Sequence, residues 1–223
     1  MSAPPPSASA GPAQRPRRER LDAAARRETI LDVAIPMFAS AGYDQTRMSD
    51  IAARVGVTEP VIFQNFGTKA DLFAAALGRA SREAGNYLND VAERSGSVHG
   101  WLSHLLAAEH LDHLHTAPMF GVLFADAHRL QLEAGVREAL HRSVAHAAGV
   151  ISGILRRGQA EGSIRDDASP DTLAWLVVSL IQARQFRRMH TAEPASALEH
   201  DLLRCILGAV RPQPPLECSQ SPA

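Results

Sequence analysis

Cysteine is almost absent from this chain, and the two present have no structural task in view. Cys205 and Cys218 are the only ones in 223 residues. Cys218 stands in a Pro-rich terminal stretch and neither has a partner at metal-ligand spacing, so no disulfide framework and no cysteine metal site is expected. Long apolar runs are also missing. The longest, residues 173–181, is interrupted by Ser179 and falls far short of a membrane span. The first sixteen residues carry no apolar segment of the secretory kind. A soluble, cytoplasmic protein is the expectation. A strong charge of either sign is absent too, with a formal net charge of −1. The chain as a whole is therefore not a basic nucleic-acid binder. No nucleophile elbow, P-loop, zincin motif or Gly-rich dinucleotide turn occurs, so neither an enzyme nor a cofactor is expected. No strand-period segment or internal repeat stands out, which leaves an all-α reading.

What is present is unevenly distributed. Through Arg82 there are eleven Lys and Arg against eight Asp and Glu, while the remainder is net acidic and holds all ten histidines, from His99 onward. Two parts with different partners are implied. Residues 1–16 are mostly Pro, Ala, Ser and Gly, a composition that cannot offset its ordering entropy. Arg15, Arg17, Arg18 and Arg20 then form a basic cluster, read either as a solvated charge run or as an arm that reaches DNA.

Residues 48–66, MSDIAARVGVTEPVIFQNF, organise the rest. Met48, Ile51, Ala52 and Val55 fall on one face of a short helix. Gly56 suits the left-handed backbone that stops it. Thr58 is placed to cap the next helix, Pro60 lies in its first turn, and Val57 and Ile62 occupy the staple positions. Ile62 and Phe66 make the inner face, so Glu59, Pro60, Val61, Gln64 and Asn65 point outward. This is a helix-turn-helix. A longer helix over 22–41 precedes it, with Ile30, Ala34, Met37 and Phe38 as its stripe and a kink expected at Pro36. Gly42 ends that helix, and Thr46 is the expected cap of the following one. After the motif, Thr68 caps a helix that carries Leu72, Phe73, Ala76 and Leu77 inward and continues through Tyr87, Leu88 and Val91.

Residues 27–73 resemble the N-terminal DNA-binding domain of the TetR family of transcriptional regulators. The matching residues are Ile30, Leu31, Ala34, Phe38, Gly42-Tyr43, Thr46, Asp50-Ile51-Ala52, Gly56-Val57, Phe63, Phe66, Lys69 and Leu72. The likeness covers about the first third of the chain. It implies an all-α fold: an N-terminal three-helix helix-turn-helix DNA-binding domain plus a C-terminal helical ligand-binding and dimerisation domain. The divisions expected are a tail with the basic cluster at 1–21, the DNA-binding domain at 22–82, the helical body at 83–211 and a second tail at 212–223. The candidate DNA-contacting set is Thr46, Arg47, Thr58, Glu59, Pro60, Val61, Phe63, Gln64, Asn65 and Lys69. In the family the lysine matching Lys69 contacts the DNA backbone. A tyrosine often stands where this chain has Phe63, which cannot donate that residue's phosphate bond.

Beyond Gly96 the pattern predicts helices over 98–115, from Pro118 onward, over 134–160, over 171–189 and over 195–210. Ser169-Pro170-Asp171 is a strong helix start. The helix after it is apolar nearly all round, which demands a partner on each side. The family pairs its last two helices across a twofold axis, so 171–189 and 195–210 are expected to form a homodimer seam. Its middle helices enclose a cavity for a small-molecule effector. Trp101, Leu105, Phe120, Phe124 and Trp175 are the residues here that fit such a lining, although ordinary core packing explains each as well. His110 and His113 share a helical face, but His115 does not and no H-x-x-x-H spacing occurs, so no metal site is expected. The function implied is sequence-specific DNA-binding transcriptional regulation. It would be exerted by a ligand-responsive repressor acting as a homodimer on a pseudo-palindromic operator. The alternative is a helical interaction module or small-molecule-binding protein without DNA readout.

Overall fold

The computed structural model describes residues 17–107, 110, 121–130, 132–184, 187, 190 and 195–212. Among the described residues the fold is all-α, with nine helices and no strand. They are α1 (Arg17–Gln45), α2 (Met48–Val55), α3 (Glu59–Phe66), α4 (Lys69–Arg94), α5 (Val98–Leu105), α6 (Gly121–Arg129), α7 (Ala134–Ala160), α8 (Pro170–Gln182) and α9 (Ala195–Val210).

Several expected boundaries shift. Helix α1 begins earlier than residue 22 and contains Pro36, and its backbone leaves the helical conformation at Gly42 (φ 79°, ψ 170°), where the sequence ends it, before helical bonding resumes to Gln45. Pro36 sits on the exposed side, where water can reach the Asp32 carbonyl that its missing N–H leaves unpaired. The cap of α2 is Arg47, not Thr46. Thr46 is instead 2% exposed, and its hydroxyl donates to the carbonyls of Gly42 (2.7 Å) and Met37 (3.3 Å). Helix α5 ends at Leu105, well short of residue 115, and the Pro118 start lies outside the described residues. Helix α8 closes at Gln182 and not at 189, with Ala183 as its C-cap.

The buried side chains form two clusters. The first takes Ile30, Ala34 and Phe38 from α1, Ile51 from α2, Ile62 and Phe66 from α3, and Leu72, Phe73 and Leu77 from α4. It also takes Leu123 and Ala127 from α6, and Val136 and Leu140 from α7. The second gathers Ala92, Trp101, Leu102, Leu105, Ile151, Ile154, Leu155, Leu173, Val177 and Val210. Helices α4 and α7 supply side chains to both, so they are the rails joining the two halves. Their closeness needs Gly85: a Cβ there would lie 2.7 Å from His146 Nε2 and 3.1 Å from Val150 Cγ2. A buried bond from Ser81 Oγ to the Ser143 carbonyl (3.3 Å) crosses the same seam.

The turn between α2 and α3 is closed by Gly56 at φ 81°, ψ 29°. The Val57 amide donates to the Ala52 carbonyl at 3.0 Å and the Gly56 amide to the Ala53 carbonyl at 3.3 Å, which is the Schellman arrangement. A Cβ at Gly56 would meet nothing within 4 Å, so substitution there isolates backbone strain. Gly56→Ala should lower stability by about 1–2 kcal/mol in urea denaturation, the left-handed penalty of a residue with a Cβ. An unchanged midpoint would mean that the turn relaxes.

Candidate nucleic-acid interface

Helix α3 is held by one face and offers the other. Ile62 is fully buried and Phe66 nearly so, while Val57 packs against the same core. Thr58, Pro60, Phe63 and Gln64 are exposed, and Glu59, Val61 and Asn65 are half-buried. Thr58 is the N-cap in extended conformation, as its position in the sequence predicts, but its hydroxyl makes no cap bond. The Asn65 amide is engaged within the helix, donating to the Val61 carbonyl at 2.7 Å. Gln64 is thus the more available amide of the two. Arg47, at the start of α2, is also exposed. Thr46 is turned into the core and braces the α1–α2 corner from inside.

Arg27 of α1 closes the far end of α3. Its guanidinium lies 4.1 Å from the centre of the Phe66 ring and also donates to the Asn65 carbonyl. That carbonyl belongs to the last turn of α3, where intrahelical partners run out. Spacing gave no signal for this role, because the contact spans 38 residues of chain.

The start of α4 forms the second part of the surface. Thr68 and Asp71 make a full capping box, each side chain accepting from the other's backbone amide at 3.1 Å. Lys69 follows at the first helical position, beside the positive end of the helix. Its ammonium lies 4.4 Å from the centre of the Tyr43 ring and donates to the Asp44 carbonyl at 3.4 Å. Burial pushes the Lys69 pKa down, and the nearby Asp44 opposes that shift. Tyr43 stacks on Phe38 and meets Phe73 edge-on at 5.2 Å between ring centres. A cation on a rigid aromatic base, next to helix-terminal amides, is a seat for a phosphate oxygen.

The other candidate residues are scattered. Trp101 and Leu105 are buried together in the second core, Phe124 packs against the first, and Trp175 is 50% exposed on α8. Phe120, His113 and His115 lie outside the described residues.

The comparisons with known proteins match this layout. Residues 30–76 fit the model for bacterial regulatory proteins of the tetR family. The HTH-type transcriptional activator FasR of Mycolicibacterium smegmatis is 41% identical over 63 residues, covering 28% of this chain and 29% of that protein. The chain thus spans under a third of that relative's length. The HTH-type transcriptional repressor Rv1474c of Mycobacterium tuberculosis is 29% identical over 150 residues, or 67% of this chain and 75% of that one. A TetR-family transcriptional regulator from Cytophaga hutchinsonii superposes with a TM-score of 0.68 at 14% identity, covering 86% of this chain and 98% of its own. The helix-turn-helix of this chain is thus similar to that of the tetR family, and the described helices share the fold of that TetR-family structure.

Phe63 is 41% exposed on α3, a large apolar ring with no polar end. Phe63→Tyr places a hydroxyl at the ring's outer edge without disturbing the core. An added bond to a charged phosphate is worth about 1.5 kcal/mol, so affinity for duplex DNA should rise roughly tenfold for each copy of α3 that makes it. Equal affinity of the two proteins in a fluorescence-anisotropy titration would mean that the ring does not face the backbone.

Proposed function

We propose that the protein is a sequence-specific DNA-binding transcriptional regulator, with residues 22–82 as the DNA-binding part. The observation that carries this reading is the two-faced character of α3, with Ile62 and Phe66 sealed in the core and Thr58, Pro60, Phe63 and Gln64 left in solvent. An eight-residue helix with that division is a reader for the major groove. Gln64 is suited to adenine N6 and N7, and Val61 to a thymine methyl. Glu59 accepts from cytosine N4 or rejects other sites. Arg47 and Lys69 hold the backbone and fix the register.

The same reading calls for two copies. One short helix reads only a few base pairs, whereas a twofold dimer reads two half-sites in a pseudo-palindrome. Trp175 and Leu176 on α8 and Leu198 on α9 are exposed large apolar residues, and they support a homodimer through these last helices. Trp175 then belongs to the seam and not to a ligand pocket. The effector site falls among the helices of the second core, around Trp101 and Leu105. Effector binding favours a spacing of the two α3 helices that no longer fits the groove, and DNA is released. Repression is the expected sign of regulation. A twofold DNA-binding dimer can also activate.

The test is selection of bound duplexes from a random pool, followed by titration. The protein should sediment as a dimer and enrich a twofold-symmetric sequence. A dimer with about 6–10 phosphate contacts should lose roughly 10³–10⁵ in affinity between 50 and 200 mM salt. Gln64→Ala should flatten the preference at one base pair of each half-site by about 1–3 kcal/mol. A monomer, or a pool that stays random, would contradict the proposal.

A further inference from the structure

Helix α6 lies in the stretch expected to belong to the body, yet its buried residues Leu123 and Ala127 join the core of the DNA-binding helices. Its polar side chains also reach the α1–α2 corner. The break at Gly42 takes the Tyr43 amide out of the helical bonding pattern. That amide donates instead to Asp126 Oδ2 at 2.5 Å. The other oxygen of Asp126 accepts from Arg129 at 3.1 Å, and Arg129 pairs with the Asp44 carboxylate at 2.8 Å. The carboxylate of Asp126 is largely buried, which favours a fixed partner over water.

Tyr43 and Asp44 are also the two residues that seat Lys69, one by its ring and the other by its carbonyl. The corner therefore has α6 on one side and the phosphate seat on the other. We propose that Asp126 and Arg129 are positioning residues for DNA binding: they clasp the Tyr43–Asp44 corner and thereby hold Lys69 where a DNA phosphate meets it. This inference rests on the DNA-binding reading and adds a second route from body to DNA. Displacement of α6 loosens the lysine's platform and weakens backbone grip, independently of the spacing between recognition helices. The clasp could not have been read from the sequence, because it joins positions 83 residues apart.

The test is a double-mutant cycle on the full-length protein, titrated at several salt concentrations with a duplex selected from random DNA. The variants are Lys69→Ala, Asp126→Ala and the pair together, and Arg129→Gln supplies a second cycle at an exposed position in case Asp126→Ala does not fold. Loss of the lysine contact in both protomers should make the slope of log K against log salt shallower by about two units. Asp126→Ala should produce the same change while the melting transition stays cooperative, and the double variant should bind no more weakly than Lys69→Ala alone. Arg129→Gln should shift the slope in the same direction and be similarly non-additive with Lys69→Ala. A wild-type slope in the clasp variants, or losses that simply add, would overturn the clasp while leaving the DNA-binding reading intact. Failure of the unaltered protein to bind any selected duplex would overturn both.

Discussion

The packing of Phe38, Tyr43 and Phe73 against one another is the contact on which the helix-turn-helix end depends. Phe38 and Phe73 meet edge-on at 5.2 Å, and Tyr43 closes the group from the corner after Gly42. Two rings come from α1, on either side of its Gly42 break, and one from α4, so the cluster fixes both parts of α1 against α4. The α2–α3 pair is then laid across this base through Ile51, Ile62 and Phe66. A shift of the cluster would move Lys69, which rests on Tyr43, and the outward face of α3 together. Arg79 reinforces the α1–α4 contact from outside, pairing with Glu28 (3.1 Å) and Asp32 (2.5 Å) of α1 and with Glu83 (2.9 Å) on its own helix.

The parts governed by short-range rules were legible in the sequence. The stripe at Met48, Ile51 and Ala52 is buried, Gly56 takes the left-handed backbone, and the Ser169-Pro170 start is confirmed by the Ser169 side chain accepting from the Thr172 amide. Helices α7 and α9 run over the spans that their apolar periodicity predicts. These features depend on neighbours within a few residues, which a linear pattern contains. What failed depended on the fold around it. Thr46 looked like a cap because of its residue type, but tertiary packing turned its hydroxyl toward the Met37 and Gly42 carbonyls. Arg27 and Asp126 act across long separations, and no spacing rule reaches them.

The division of the chain into a reading part and a body is less sharp in space than along the sequence. The first core is completed by Leu123, Ala127, Val136 and Leu140, all far downstream of the helix-turn-helix. Helices α4 and α7 then carry the same packing into the second core. Close-packed interiors resist continuous deformation. Helices α4 and α7 are therefore the packed connection between the second core and the helix-turn-helix, while α6 packs on the first core alone. Arg165 ties α9 into the same frame, its backbone amide donating to the Val210 carbonyl at 2.8 Å and its guanidinium to the Ala209 carbonyl at 2.9 Å.

Everything proposed for this protein turns on whether the outward face of α3 enters the major groove. Methylation protection with dimethyl sulfate tests it most directly, because the reagent attacks guanine N7 in the major groove and adenine N3 in the minor groove. The account predicts guanine N7 protection in two twofold-related patches of a selected duplex, with adenine N3 between them left reactive. Protection confined to adenine N3, or a single patch without a symmetric mate, would contradict it.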